Sequence, residues 1–263
     1  MEEFLKTIIL GTLQGLTEFL PISSTGHLVI GRKLFGLSEA GLFLDTMLHF
    51  GTFISVIIVF WDKIIQIIKK PNSKLLKLLV IGTIPTALIG LIFQDLFEEI
   101  SKTGVTIGWE FLITGLILWF ADNRKNLGSK GIEQIKYKDA LIIGALQGAA
   151  IMPAISRSGL TIAGALFMGV KREDAATFSF LISLPAILGA VILQSFKMYT
   201  NEIAVNNVEL IPILAGTIVA AISGYIAIKW MLKILINGSL KIFSIYVWIL
   251  GITILIFQFL GKW

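Results

Sequence analysis

A hydrophobic stretch that is broken by a proline and a short polar segment occurs twice in this chain. The first copy reads GTLQGLTEFLPISSTGH over residues 11–27, and the second reads GALQGAAIMPAISRSGL over residues 144–160. A duplication at one constant offset indicates that two related halves make up the fold. The copies differ in their ionisable residues, since the first contains Glu18 and His27 and the second contains Arg157. One half therefore supplies an acid and the other a base.

The composition indicates an integral membrane protein. Hydrophobic residues make up 56% of the 263 residues and charged residues only 15%, which is more apolar surface than one soluble globule buries. The basic residues behind the net charge of +5 lie in short links between apolar runs, where they set membrane orientation, so we expect no nucleic-acid partner. The chain begins Met1-Glu2-Glu3 without the basic start of a signal peptide, so we expect the first repeat to remain in the mature protein.

Six apolar runs meet or approach the length of roughly 20 residues that a membrane-spanning helix needs. They cover residues 43–61, 75–93, 105–120, 175–196, 210–232 and 242–260. The duplicated stretches are too broken to be simple spans, and non-helical backbone at membrane depth is tolerated only where protein or a wet cavity covers it. We therefore predict a re-entrant helical hairpin at each copy. Each half then has one hairpin and three spans, and because three is odd, the second half is inverted relative to the first.

The predicted fold is one all-α membrane domain over residues 1–263, with an inverted-topology repeat, six transmembrane helices and two re-entrant hairpins. The first repeat covers about residues 1–125 and the second about residues 138–263. In this topology the basic links all fall on one side, which the positive-inside rule makes cytoplasmic. The first hairpin then enters from the outside and the second from the cytoplasm.

The two charged residues within the hairpins, Glu18 and Arg157, are the strongest functional candidates, because charges at membrane depth are costly. A purely structural ion pair between the halves is the alternative. Hydroxyl groups surround both charges, namely those of Ser23, Ser24, Thr25, Ser156, Ser158 and Thr161. Each elbow also begins a new helix after a serine, with Gly26 or Gly159 allowing close approach, although helix capping alone also explains some of these serines. Two helix starts and a guanidinium predict a site for a phosphate-bearing group.

Spacing along the first hairpin suggests roles for its polar residues. His27 lies three residues after Ser24, so both face the same way on a helix, which predicts a base beside a hydroxyl nucleophile; a structural histidine is the alternative. Gln14 and Glu18 share a helical face four residues apart, and their oxygens beside phosphate suit Mg²⁺ or Ca²⁺. We interpret His49 in the first span as a packed polar residue.

Asp45 and Glu110 are the remaining acidic residues of note in the first half. They lie near the predicted membrane interfaces, where solvent or lipid headgroups satisfy them. Neither is predicted to take part in the site.

Two segments of the chain strongly resemble the signature motifs of a known family. QGLTEFLPISSTGH at residues 14–27 and PAISRSGLT at residues 153–161 resemble the motifs of bacterial undecaprenyl pyrophosphate phosphatases, the bacitracin-resistance family. The resemblance covers essentially the whole chain. It implies a multi-pass enzyme of the bacterial cell membrane that hydrolyses undecaprenyl diphosphate to undecaprenyl phosphate and inorganic phosphate. This reaction recycles the lipid carrier for cell-wall synthesis and confers bacitracin resistance.

The resemblance also implies a divalent cation and a set of functional residues. The family's functional positions correspond to Gln14, Glu18, Ser24, His27 and Arg157. One departure is Ala154, where the family usually has glycine, and it puts only the conformation of that loop in question. We expect the active site to face the extracytoplasmic side, from which the hairpin bearing Ser24 enters, with the polyprenyl tail among the spans and membrane lipids around them.

Several alternatives remain open at this stage. A secondary transporter or lipid-carrier flippase uses the same inverted repeat with broken helices. Within the phosphatase hypothesis, Ser24 either attacks phosphorus itself or only binds while a metal-bound water attacks. The sequence also leaves open whether the chain forms homo-oligomers and which metal it uses.

Overall fold

Helices form almost all of the computed structural model, which describes residues 2–36, 41–123, 128–200 and 210–263. The first half contains α1 (Glu2–Phe19), α2 (Ser24–Phe35), α3 (Gly41–Val59), α4 (Trp61–Lys69), α5 (Lys74–Ile92), α6 (Gln94–Thr103) and α7 (Ile107–Asp122). The second half contains a 3-10 turn (Ile132–Gln134), α8 (Tyr137–Ala149), α9 (Arg157–Phe167), α10 (Arg172–Tyr199), α11 (Leu210–Asn237) and α12 (Lys241–Phe259). The predicted all-α class is confirmed. The predicted end of the first repeat, near residue 125, lies outside the described residues.

Several helices have the length and apolar character of membrane spans. Within the described residues, α5, α10, α11 and α12 are each long and apolar enough to cross a membrane, and α3 with α4 counts as a fifth span if their 77° bend is accepted. Each of the six predicted spans coincides with a helix, but α7 is only 16 residues long, so the number of six spans stays a prediction. Large apolar side chains such as Ile92, Ile211 and Phe259 are exposed on the outer faces, as lipid contact requires.

The two broken stretches fold as the pairs α1–α2 and α8–α9, each with a non-helical elbow between its helices. We call residues 20–23 the first elbow and residues 150–156 the second elbow. The side chain of Ser23 accepts a hydrogen bond from the N–H of Gly26, and that of Ser156 accepts one from the N–H of Gly159. These bonds satisfy free N–H groups at the start of each second helix. The predicted serine caps are therefore confirmed.

Each hairpin packs against a helix from the other half of the chain. Helix α1 packs most extensively against α11, and its sequence counterpart α8 packs against α5. A methyl group placed on Gly11 would lie 3.0 Å from the Cα of Gly216, and one placed on Gly144 would lie 3.0 Å from the Cα of Gly82. Glycine at these crossings lets the helix backbones touch, as in other membrane helix pairs.

Asp122 joins the end of α7 to α10 and α12, beyond the predicted span 105–120. Its carboxylate accepts hydrogen bonds from Arg172 at 2.7 Å, from the Ser239 hydroxyl at 2.5 Å and from the Leu240 N–H at 3.0 Å. Burial by itself raises the pKa of this carboxyl, but the three donors outweigh it and hold the pKa below its ordinary value. The charge of Asp122 therefore ties three helices together at one end of the bundle.

Candidate functional site

The two elbows lie in direct contact at the centre of the helix bundle. The Ser23 hydroxyl donates a hydrogen bond of 2.7 Å to the carbonyl of Pro153, and the Ser158 hydroxyl donates one of 3.0 Å to the carbonyl of Leu20. Each hairpin thus supplies a serine, Ser23 or Ser158, that donates to a backbone carbonyl in the elbow of the other hairpin, which removes the cost of bare carbonyls at this depth. The prediction that the two broken segments meet is confirmed.

The carboxylate of Glu18 is the centre of the polar cluster at this contact. Arg157 from the other half donates to Glu18 Oε1 in an ion pair. The Ser24 hydroxyl donates to Glu18 Oε2 at 2.5 Å, and the Gln14 amide donates to the same oxygen at 3.0 Å. The structure therefore brings together four of the predicted site residues, and the ion pair neutralises a carboxylate whose side chain is only 5% exposed.

Within the part of the chain that the structure describes, two polar atoms of this cluster are buried without a partner. They are Nη1 of Arg157, a donor, and Oε1 of Gln14, an acceptor. A buried polar group without a partner costs about 1–3 kcal/mol, and more when it is charged. The donor suits an anion and the acceptor suits a cation, so both are places where atoms of a ligand would bind.

His27 is buried next to the cluster, and both of its ring nitrogens contact residues other than Ser24. Its Nδ1 lies 2.6 Å from the carbonyl oxygen of Ser23, and its Nε2 lies 2.8 Å from the hydroxyl of Tyr246. Because a carbonyl only accepts, Nδ1 carries the proton and Nε2 of the neutral ring accepts from Tyr246. The structure therefore brings Glu18, rather than His27, to the Ser24 hydroxyl. The catalytic role of His27 stays a prediction.

His49 of α3 is a member of the cluster that sequence reasoning did not assign to the site. Its Nε2 lies 3.6 Å from Glu18 Oε2, and its Nδ1 lies 2.7 Å from the carbonyl oxygen of Asp45. The side chain is 26% exposed, so it lies at an accessible edge of the cluster. A histidine in an apolar run was the available signal, but the sequence does not indicate which neighbour it meets.

Helix α7 positions the second elbow through two polar side chains. Glu110 is 2% exposed and accepts hydrogen bonds from the Ala154 N–H at 2.6 Å and from the Thr106 hydroxyl at 2.5 Å. The hydroxyl of Thr114 donates to the Ala154 carbonyl at 3.1 Å and accepts from the Ser156 N–H at 3.2 Å. The interpretation of Glu110 as an interfacial residue satisfied by solvent is therefore wrong, because it binds the backbone just before Arg157.

The other predicted binding residues mostly hold the elbows in shape. Ser156 lies 3.3 Å from the Ser158 hydroxyl, and Thr161 lies 2.6 Å from the hydroxyl of Ser179 on α10. Gly26 is a site of close packing, since a methyl group there would lie 2.7 Å from the ring of Phe111. Thr25 is half-buried. Direct contact of these residues with a substrate stays a prediction.

The protein ligands available to a metal ion are few. Within the described ranges, no group of three or more His, Cys, Asp or Glu side chains lies close enough together to hold a metal. Glu18 and His49 are the two such side chains in the cluster, and the unpartnered oxygen of Gln14 adds a third donor. A cation here would need oxygens from a bound ligand to complete its shell.

The chain is similar over nearly its whole length to one protein family and to several named proteins. The chain matches the family model of bacitracin resistance protein BacA over residues 7–253. It is 57% identical to undecaprenyl-diphosphatase 3 of Bacillus cereus over 256 residues, which cover 97% of this chain and 98% of that protein. It is 52% identical to the undecaprenyl-diphosphatase of Carboxydothermus hydrogenoformans over 98% of both chains. The one from Halothermothrix orenii is 44% identical, over 97% of this chain and 98% of that protein.

Proposed function

Because the chain belongs to the bacitracin resistance protein BacA family, we propose that it hydrolyses undecaprenyl diphosphate to undecaprenyl phosphate and inorganic phosphate. Relatives named undecaprenyl-diphosphatase, 52–57% identical over nearly the full chain, support this activity. The structural observation that carries the proposal is the Ser24 hydroxyl held by Glu18 beside a buried Arg157 nitrogen that lacks a partner. A transporter or flippase needs no such pairing of hydroxyl and carboxylate, so hydrolysis is favoured.

Arg157 and the starts of α2 and α9 are the groups we assign to the diphosphate. The guanidinium offers Nη1 to a phosphate oxygen without breaking any existing hydrogen bond. The second helix of each hairpin begins at the cluster, at Ser24 and Arg157, and a helix start favours negative charge. This arrangement binds the charged head of the substrate while the polyprenyl tail lies among the apolar helices.

Ser24 is the nucleophile in the proposed reaction. Its oxygen attacks the terminal phosphorus while its proton passes to Glu18 Oε2, which already accepts its hydrogen bond at 2.5 Å. A serine–phosphorus bond forms, the bond from that phosphorus to the bridging oxygen breaks, and undecaprenyl phosphate leaves. Water then attacks the phosphorus of the phosphoserine, the bond from that phosphorus to the Ser24 oxygen breaks, and the proton held by Glu18 returns to this oxygen, which releases inorganic phosphate and restores both residues. Direct attack by water, with Ser24 only binding phosphate, is the competing route.

A divalent cation, Mg²⁺ or Ca²⁺, fits the donor set of Gln14 and Glu18. The buried Gln14 Oε1 has no partner among the described residues, and a hard cation satisfies such an amide oxygen. When bound, the cation neutralises charge on the phosphate oxygens. Arg157 would neutralise the remaining charge.

The test of the activity is phosphate release by the purified protein from a long-chain prenyl diphosphate, with and without EDTA. We expect Ser24→Ala to abolish release and to remove any phosphoserine that acid quenching traps from the wild type. Ser244→Ala is the matched control, since this buried hydroxyl donates to the carbonyl of Leu240, the residue just before α12, and lies outside the cluster. Absence of release from folded wild-type protein would refute hydrolysis, and full release by Ser24→Ala would refute serine attack.

We also propose the inverted repeat, six spans in the bacterial cell membrane, and a site open to the extracytoplasmic side. The exchange of packing partners between the halves, with α1 on α11 and α8 on α5, supports the inverted repeat. The chain has no cysteine, so single cysteines report topology directly. A membrane-impermeant maleimide should label Lys262→Cys in intact cells and Asn72→Cys only after permeabilisation. The reverse pattern would refute the orientation.

A further inference from the structure

The hydrogen bond made by the His49 ring fixes which of its nitrogens is free. Nδ1 lies 2.7 Å from the carbonyl oxygen of Asp45, one turn earlier in α3. A carbonyl oxygen only accepts, so Nδ1 carries a hydrogen and donates it. In the neutral imidazole, Nε2 therefore presents a lone pair, and it is this atom that faces the Glu18 carboxylate.

The separation of 3.6 Å between His49 Nε2 and Glu18 Oε2 is too long for a hydrogen bond. It does fit two ligands of one cation, because donors about 2.0–2.2 Å from a shared ion lie roughly 3.0–3.6 Å apart. Two atoms with lone pairs that face each other at this distance are stabilised by a positive charge between them, even though Arg157 already neutralises the Glu18 carboxylate. That charge is either a proton on the imidazole or a metal ion.

The surroundings of the two atoms favour a metal ion. Gln14 lies directly beside Glu18, with its amide nitrogen 3.0 Å from the carboxylate and its Oε1 buried without a partner. A histidine whose other nitrogen donates to a backbone carbonyl is the usual support of a metal-bound imidazole. Glu18 and Gln14 of α1 and His49 of α3 thus supply oxygen and nitrogen ligands within one cluster, and among the described residues the Gln14 oxygen has no partner that a metal ion would have to displace.

We infer that His49 is a third protein ligand of the divalent cation, together with Glu18 and Gln14. This inference depends on the proposed phosphatase function in one respect, because the remaining oxygens of the cation's coordination shell would come from the bound diphosphate. A nitrogen ligand shifts the preference of the site towards first-row transition metals and away from Ca²⁺, which takes oxygen ligands. His49 therefore acts on which metal the site selects.

Pulsed electron paramagnetic resonance of bound Mn²⁺ tests this directly, with tag-free protein in detergent and no substrate. The chain contains only two histidines, His27 and His49, so an imidazole ¹⁴N coupling can be assigned by two variants. We expect the coupling in the wild type and in His27→Gln, and its loss in His49→Gln. We also expect His49→Gln to bind Mn²⁺ at least about ten-fold more weakly, with a smaller change for Ca²⁺.

Each other outcome overturns a defined part of the proposal. Bound Mn²⁺ without ¹⁴N coupling in the wild type, or coupling that survives in His49→Gln, refutes His49 as a ligand. If His49→Gln does not fold, His27→Gln provides the test instead. Loss of the ¹⁴N coupling in His27→Gln would then refute His49 as a ligand. Phosphate release is measured on the same samples: coupling without release refutes the phosphatase function alone, and release without coupling refutes the ligand alone.

Discussion

Replacing Glu110 with alanine should uncouple the second elbow from α7. The Ala154 N–H, which donates to Glu110 at 2.6 Å, is in a fully buried residue and would be left without an acceptor. An orphaned buried donor costs about 1–3 kcal/mol. Loss of the Thr106 contact adds about 0.5–1.5 kcal/mol. We therefore expect the free energy of unfolding to fall by about 2–4 kcal/mol.

The same change should reduce catalysis beyond its effect on folding. Arg157 follows Ala154 by three residues, so a shift of the elbow moves the guanidinium away from Glu18. Misplacement of a positioning group by about 1 Å can cost roughly 100-fold in rate. We expect kcat for prenyl diphosphate to fall by up to about 100-fold in Glu110→Ala. Glu110→Gln, which keeps an oxygen for the Ala154 N–H, should lose less than about ten-fold.

The assay combines reversible unfolding in mixed micelles with steady-state phosphate release, measured on the same preparations. Glu133→Ala is the matched control, because Glu133 is exposed and only its backbone carbonyl binds another residue, Lys74. It should change neither quantity. Unchanged stability and kcat in Glu110→Ala would refute the reasoning. A loss of stability with wild-type kcat in the folded fraction would show that Glu110 only supports the fold.

Three further predictions concern other contacts. Gly144→Val should lower the free energy of unfolding by at least about 1–3 kcal/mol, because the added side chain overpacks the contact with α5. Gly189→Ala should be neutral or stabilising, because its methyl group would meet no described atom within 4 Å. Equal effects of the two variants in unfolding assays would contradict this. The pKa of Asp122 is lowered in the folded protein, so its ionised carboxylate stabilises the fold at pH values above the unfolded-state pKa of about 3.9, and this stabilisation is lost as pH falls through the folded pKa. Asp122→Asn should therefore make the free energy of unfolding depend less on pH in the acid range. An unchanged pH dependence would contradict this. Tyr246→Phe removes the donor to His27 and should alter the NMR shift of its Nε2 without unfolding the protein; an unchanged shift would exclude the bond.

The elbows could be predicted from sequence because their signals are local. A proline and polar residues inside an apolar run break a helix, and a serine three residues before a glycine caps the next one. The contact between Glu18 and Arg157 followed because two opposite charges at membrane depth have few other ways to be neutralised.

The neighbours of Ser24 could not be predicted in the same way. The spacing of Ser24 and His27 assumes that both lie within a regular helix, but Ser24 is the first residue of α2 and follows Ser23, whose φ is 67°. The Ser24 hydroxyl donates to Glu18 of α1, while His27 donates to the Ser23 carbonyl. His49 reaches the cluster from α3, and no periodicity within α3 indicates which helix it faces.

The charges of this cluster explain how a polar site persists in an apolar bundle before substrate binds. Glu18 and Arg157 come from different halves and neutralise each other, so no net charge is buried in the resting site. The pair nevertheless leaves one donor on Arg157 and one acceptor on Gln14 unsatisfied, at about 1–3 kcal/mol each. A diphosphate would accept from the Arg157 donor, and a cation would bind the Gln14 acceptor. Each ligand therefore removes one of the two free-energy costs of the empty site, and the removed cost adds to the affinity for that ligand.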